Sequence, residues 1–303
     1  MDYTSVPAKT TQTSMETVYS LEALRETIQR WRRAGERIAL VATMGNLHAG
    51  HISLLERACT LADRTVVSIF VNPIQFGKGD DYAKYPSTLE ADQQKLAVAG
   101  LDLLFAPNLE QLYPGGIEED TRVTVPGLST VLCGQYRPGH FSGVATVVTK
   151  LFINIQPDIA LFGEKDYQQV LIIKRMAHDL LMPVKILGMP IVRDADGLAM
   201  SSRNSYLNAE ERSRAPTIFA ALCRAAAKLK TQSYSLIAIE TAAMAELAAV
   251  GFRPEYFSIR GTEDLGGPQI GDIQLQILAA AWLGNARLID NLRVDLEQPL
   301  RQL

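Results

Sequence analysis

The chain has 303 residues, 47% hydrophobic and 21% charged, with a formal net charge of −3. That content can bury a sizeable core, and the length exceeds the roughly 100–200 residues usual for one domain, so two are expected. No run of five like charges occurs and no apolar stretch approaches the ~18–20 residues of a membrane span, so neither nucleic acid nor a membrane is expected as partner.

Residues 1–14 are polar and rich in Thr and Ser, without the apolar centre of a signal peptide, and read as a flexible N-terminal extension of a soluble, cytoplasmic protein. Cys59, Cys133 and Cys223 are odd in number, far apart and outside any ligand spacing, which predicts buried free thiols. Arg37–Ala42 predicts a buried strand, then a Gly- and His-containing turn, then a helix from near Ile52 with Leu55, Cys59 and Ala62 on one face. Thr65–Val71 is a second strand, ending at Asn72-Pro73. Ser87 with Glu90 predicts a capping box for a helix that stops at Gly100, and Leu101–Ala106 a third strand cut off by Pro107.

Ser142–Gln156 predicts a helix, Ile159–Phe162 a short strand, Asp166–Leu181 a helix and Val184–Met189 a strand before Pro190. This alternation predicts an α/β, Rossmann-like doubly wound parallel sheet over residues 15–191. Ligands of such sheets sit beyond the carboxyl ends of strands, where strand order switches. From 192 to 303 the texture changes. Asn208 and Glu211 cap an Ala-rich helix, Ser235–Val250 is a second ended by Gly251, and Glu255–Arg260, Gln274–Leu283 and Arg287–Leu292 are strands of a smaller α+β domain.

Five segments carry candidate chemistry. Thr43–His51 (TMGNLHAGH) joins a strand to a helix, a place where backbone N–H groups meet phosphate. His48 and His51 there suit donation to a transferring phosphate; two surface or core-edge histidines, or half a metal site, are the alternative, although further zinc ligands are absent nearby. Asn72–Pro86 offers amides, Gln75 above all, to a small polar molecule, or is a solvated loop. Gly163–Gln169 (GEKDYQQ) offers Lys165 as a point charge for phosphate and Asp166 as helix cap, ribose ligand or holder of a water on Mg²⁺. Met200–Asn204 (MSSRN) is a clamp for phosphate oxygens or a Ser-rich turn. Arg137 and His140, in RPGHFSG just before a helix, belong to a catalytic flap or a plain loop, and His178 reads as structural.

No Walker A sequence, GxGxxG turn or GxSxG elbow is present, which argues against P-loop kinases, dinucleotide oxidoreductases and serine hydrolases. Together, HAGH (His48 to His51), FVNPIQF (Phe70 to Phe76), RPGHFSGV (Arg137 to Val144), FGEKDYQQ (Phe162 to Gln169), GLAMSSRN (Gly197 to Asn204) and ILAAAWLGNARLIDNL (Ile277 to Leu292) resemble the pantothenate synthetases, of the HxGH nucleotidyltransferase superfamily. The resemblance runs from about Met15 onward; Ala49 departs from the acidic residue of many relatives, and Ser258 to Asp264, with Gly261 and Thr262, is less typical.

The resemblance implies an ATP-dependent ligase that adenylates pantoate, releases pyrophosphate, and passes the pantoyl group to β-alanine with loss of AMP. It implies that His48, His51, Lys165 and Arg203 are catalytic, with His51 the proton donor. The ATP site it implies comprises Met44, Gly45, Asn46, Leu47, His48, Ala49, Gly50, His51, Gly163, Glu164, Lys165, Asp166, Val192, Met200, Ser201, Ser202 and Arg203, with Mg²⁺ held mainly by the phosphates. Pantoate falls to Gln75 and Gln169, with Met44, Phe162, Val144, Val147 and Val148 around its methyls, and β-alanine to Asn72 and Gln75. A homodimer is implied, with residues 192–303 as a lid. A cytidylyltransferase-like relative and a catalytically silent nucleotide-binding regulator are the rival readings; the first leaves paired Gln75 and Gln169 unexplained, and the second predicts decay at catalytic positions.

Overall fold

The computed structural model describes residues 14–77, 82, 85 and 88–301. The chain forms two compact units: Met1–Thr130 with Arg137–Glu164 and Ile172–Pro190, and Val131–Tyr136 with Lys165–Leu171 and Ile191–Leu303.

The first unit carries β1 (Glu16–Val18), α1 (Leu21–Arg33), β2 (Ile38–Thr43), α2 (Ala49–Leu61), β3 (Arg64–Ile69), α3 (Leu89–Val98), β4 (Leu103–Phe105) and α4 (Leu109–Leu112). It continues after α5 (Cys133–Tyr136) with α6 (His140–Ile155), β5 (Ile159–Gly163), most of α7 (Tyr167–Asp179) and β6 (Lys185–Met189). The six strands are parallel in the order β1-β4-β3-β2-β5-β6. Ile38 to Val41 of β2 are each at most 1% exposed, as expected of a strand covered on both faces. β2 pairs with β3 on one side and with β5 on the other, so strand order switches between β2 and β5. The His48 segment follows β2 and the Lys165 segment follows β5. The doubly wound sheet expected from the alternation is therefore present, with its special sequences at the switch.

Several boundaries differ from expectation. The α2 helix starts at Ala49 rather than near Ile52, because His48 caps it and His51 closes a capping box in its first turn. The buried face of α2 is Leu54, Leu55, Ala58 and Leu61, with Cys59 only half-buried. Residues 1–13 and Ser87 lie outside the described residues, and with them most of the predicted extension and the Ser87 cap; α3 has Thr88 at its N-cap. The unanticipated α1 follows Ser20, whose hydroxyl accepts from Ala23 N at 3.2 Å, and buries Leu24, Thr27, Ile28 and Trp31 at helical spacing.

The second unit holds α5, the start of α7, α8 (Ala209–Arg214), α9 (Thr217–Thr231), α10 (Leu236–Ala249), β7 (Arg253–Gly261), β8 (Gln274–Leu283) and β9 (Ala286–Asp295). Its three strands are antiparallel in chain order. Asn208 and Glu211 form their capping box, but on the six-residue α8; Pro216, lacking an N–H, divides it from the Ala-rich α9. Leu275, Ile277, Ala279 and Ala281 of β8 pack on Leu222, Leu229 and Leu247, while the alternate position Gln276 faces Asn291. Cys133 is buried, but Cys223 is exposed, turned off the α9 face that Leu222 buries. His178 is exposed beside Asp179 at 3.0 Å. No helix among the described residues is long and apolar enough to cross a membrane.

Candidate active site

The turn after β2 is built by its own Thr43, Gly45 and Asn46 and by side chains of α3. Thr43 Oγ1 donates to the Ser68 carbonyl at 2.9 Å and accepts from Gly45 N at 3.2 Å. Gly45 sits at φ +81°, where a Cβ would come within 3.1 Å of Ile69 Cγ2. Asn46 follows at φ 51°, a conformation asparagine tolerates. The fully buried Asp92 carboxylate accepts from Asn46 N at 2.7 Å and Leu47 N at 2.9 Å, and Lys95 Nζ donates to the Leu47 carbonyl at 2.7 Å.

This turn delivers the two imidazoles to the start of α2. His48 Nδ1 accepts from Gly50 N at 3.2 Å, and His51 Nδ1 accepts from His48 N at a longer 3.4 Å. A ring nitrogen that accepts a backbone N–H carries no proton of its own, so in the neutral form both rings hold theirs on Nε2. The ring centroids are 4.1 Å apart. Two N–H donors at the N-terminus of a 13-residue helix, in the field of its dipole, suit an anion. Ala49 is exposed, consistent with an unconstrained position.

Beyond β3, Pro73–Gln75 forms a single 3-10 turn. Gln75 is 8% exposed; its Nε2 lies 2.9 Å from Met44 Sδ and its Oε1 accepts from Asn72 Nδ2 at 3.3 Å. Asn72 Nδ2 also donates to the Gly143 carbonyl at 3.1 Å, and Asn72 Oδ1 accepts from the Tyr113 hydroxyl at 2.9 Å. Gly143 lets α6 approach this turn: a Cβ there would stand 2.7 Å from Gln75 N and 2.8 Å from Ile74 C. Arg137 and His140 both face the Gln75 carbonyl, from 3.4 and 2.7 Å. Val144, Val147 and Val148 of α6 and Phe162 of β5 are all buried. Glu164 packs over Gly188 of β6, where a Cβ would meet its Oε1 at 2.5 Å.

Gly163 ends β5 in the first unit, and the remaining predicted residues belong to the second. Lys165 lies in a 3-10 turn, its Nζ 3.9 Å from Asp166 Oδ2 and its carbonyl accepting from Asn291 Nδ2 at 3.0 Å. Gln169 is half-buried, whereas the adjacent Gln168 is buried and spent on Cys133 N and the Val131 carbonyl. Met200 N donates to the Val192 carbonyl at 3.0 Å across the Arg193–Ala199 bridge. Arg193 is held by Asp290 through bonds of 2.6 and 2.8 Å and stacks on Phe219 at 3.6 Å. Ser201 caps the 3-10 helix Ser202–Tyr206, its Oγ accepting from Arg203 N at 3.3 Å.

The structure thus groups His48 and His51 in one cluster and Met44, Asn72, Gln75, Arg137 and His140 in another within the first unit. It groups Lys165 and Asp166, and separately Val192 and Met200–Arg203, within the second. Sequence reasoning missed Asp92, Lys95, Tyr113 and Asn291, because each acts through a backbone group or amide distant in the chain and leaves no local spacing.

A family model described as pantoate-beta-alanine ligase matches residues 16–293. A pantothenate synthetase of Thioalkalivibrio sulfidiphilus is 57% identical over 282 residues, 93% of this chain and 99% of the relative. One of Azotobacter vinelandii is 54% identical, covering 93% and 100%. Among solved structures, a Thermus thermophilus pantothenate synthetase superposes with a TM-score of 0.83 at 46% identity, covering 92% of this chain and 99% of that one. A Francisella tularensis pantoate-beta-alanine ligase, in complex with beta-gamma ATP and beta-alanine, superposes at 0.77 and 33% identity, covering 92% and 97%.

Proposed function

From the premise that the chain belongs to the pantoate-beta-alanine ligase family, we propose how its residues divide the work of the reaction. The reaction is the ATP-dependent joining of pantoate to β-alanine. In the first step the pantoate carboxylate attacks the α-phosphate and pyrophosphate leaves; in the second the β-alanine amine attacks the pantoyl adenylate and AMP leaves. A carboxylate is ionised at neutral pH, so the first step asks for alignment and charge neutralisation rather than a general base.

The observation that carries this reading is the pair of imidazoles at the N-terminus of α2, each with Nδ1 committed to a backbone N–H. That arrangement supports Nε2 donors for ATP phosphates, with His51 as the proton donor to the departing pyrophosphate. Lys165, Ser201, Ser202 and Arg203 are assigned to the phosphates, and Asp166 with the backbone at Gly163 and Val192 to the nucleoside. Gln75 and Gln169 are assigned to pantoate's hydroxyls and carboxylate, Met44, Phe162, Val144, Val147 and Val148 to its methyls, and Asn72 with Gln75 to β-alanine.

The phosphate-binding set is imidazole, ammonium, hydroxyl and guanidinium. The imidazole, ammonium and guanidinium are poor ligands for a hard cation that takes oxygen donors, which fits a Mg²⁺ that would be carried mainly by ATP oxygens. Bound there, Mg²⁺ would neutralise phosphate charge. A homodimer, a cytoplasmic location and a lid role for residues 192–303 complete the proposal. Light scattering, fractionation, and protease protection of Ser201–Arg203 by substrates test these three. The central test omits each substrate in turn: pyrophosphate should appear without β-alanine and fail to appear without pantoate. Pyrophosphate release that ignores pantoate would refute the reading.

A further inference from the structure

The orientation of the Gln75 amide follows from one backbone atom. The Gly143 carbonyl can only accept, so the Asn72 amide end 3.1 Å from it is Nδ2. The opposite end is then Oδ1, and the Tyr113 hydroxyl 2.9 Å away is its donor. The second proton on Asn72 Nδ2 faces Gln75 at 3.3 Å, which makes that Gln75 atom Oε1 and turns Nε2 toward Met44 Sδ. A thioether is a weak acceptor, so the Gln75 amide keeps donor capacity for a ligand oxygen.

Tyr113 is itself firmly placed. It ends α4, is 2% exposed, and packs 6.2 Å from the Phe70 ring centroid. Lys150 Nζ lies 4.2 Å from the Tyr113 ring centroid and donates to the Leu112 carbonyl and to Asp120, each at 2.7 Å. Burial first, then the Asp120 carboxylate, push the phenol above its ordinary value, so at neutral pH it remains a protonated donor.

We propose that Tyr113 is a positioning residue for pantoate binding, holding through Asn72, together with the Gly143 carbonyl, the Gln75 amide in the orientation offered to the substrate; this rests on the assignment of Gln75 to pantoate above. Without the phenol proton, Asn72 Oδ1 loses its donor in a buried place, and the Gly143 carbonyl alone is left to hold the Asn72–Gln75 pair.

The test uses the full chain and the adenylation half-reaction without β-alanine, so that no role of Asn72 toward the amine intervenes. Tyr113→Phe keeps the packed ring and removes only the hydroxyl. It should raise the pantoate concentration for half-maximal pyrophosphate release about tenfold, the worth of about one hydrogen bond, and leave the ATP requirement within about twofold. In a Gln75→Ala background the same substitution should add nothing. If Gln75→Ala alone leaves the pantoate requirement unchanged, the assignment of Gln75 fails and this inference with it. If Gln75→Ala raises it while Tyr113→Phe leaves it unmoved, or shifts pantoate and ATP alike, Tyr113 is only a core residue and the inference is overturned with the assignment intact. Should the phenol prove necessary for folding, Asn72→Ala, one link further along, is read by the same criteria.

Discussion

His140 holds the backbone of Gln75 in place: its Nδ1 stands 2.7 Å from the Gln75 carbonyl oxygen. On the other side of the ring, Arg137 Nη1 lies 3.0 Å from Nε2. A guanidinium can only donate, so Nε2 accepts and the proton resides on Nδ1, where it points at the carbonyl. This is the opposite tautomer to that of His48 and His51, set by different neighbours. His140→Ala should therefore raise the pantoate requirement about three- to tenfold with little change for ATP. His140→Asn, whose amide nitrogen can replace Nδ1, should recover most of it. Steady-state titration of each substrate checks both variants, and equal effects on the two substrates would refute the role.

Asp92 shapes the turn before His48 through two backbone N–H groups. Asp92→Asn sets an amide NH₂ against one of these donors inside a buried site. Unfolding free energy should fall by about 2–3 kcal/mol, as expected when a charged, buried acceptor is lost. Urea denaturation measures it. Adenylation should slow as well, since the capping geometry of His48 and His51 begins at this turn.

Gly143 is where helix α6 touches the turn that bears Gln75. Adding one methyl must displace backbone, not a pliable side chain. Gly143→Ala should cost about 1–3 kcal/mol of stability and raise the pantoate requirement; a crystal structure of the variant should show the Pro73–Gln75 turn moved. An unmoved turn would mean that α6 yields instead.

His51→Ala and Lys165→Ala should each lower adenylate formation by about 10²–10³, the usual effect of removing one preorganised donor to a reacting phosphate. Single-turnover pyrophosphate release measures this step. Near-normal rates in both would remove these residues from the mechanism.

Strand positions were legible because β2, β3 and β5 are short apolar runs bounded by turn residues, and Gln274–Leu283 was read to the residue. The first helix was legible in principle, from Ser20 and the Leu24, Thr27, Ile28, Trp31 period, but the strand before it, β1, is only three residues long and has no periodic signal. The start of α2 was misjudged because histidine is an uncommon N-cap, and its capping bonds depend on the turn that Asp92 enforces from another helix.

From the chain's own residues came the alternation of strands and helices, the motifs at strand ends, and thereby the identity of most groups assigned to substrates. These are local properties, written in spacing and in side-chain type. The tertiary structure alone decided which way each group is turned: His48 and His51 with the proton on Nε2, His140 with it on Nδ1, and the Gln75 amide set by a carbonyl 68 residues away at Gly143. Orientation depends on which donor or acceptor stands opposite, and that partner is chosen by packing between segments remote in the chain.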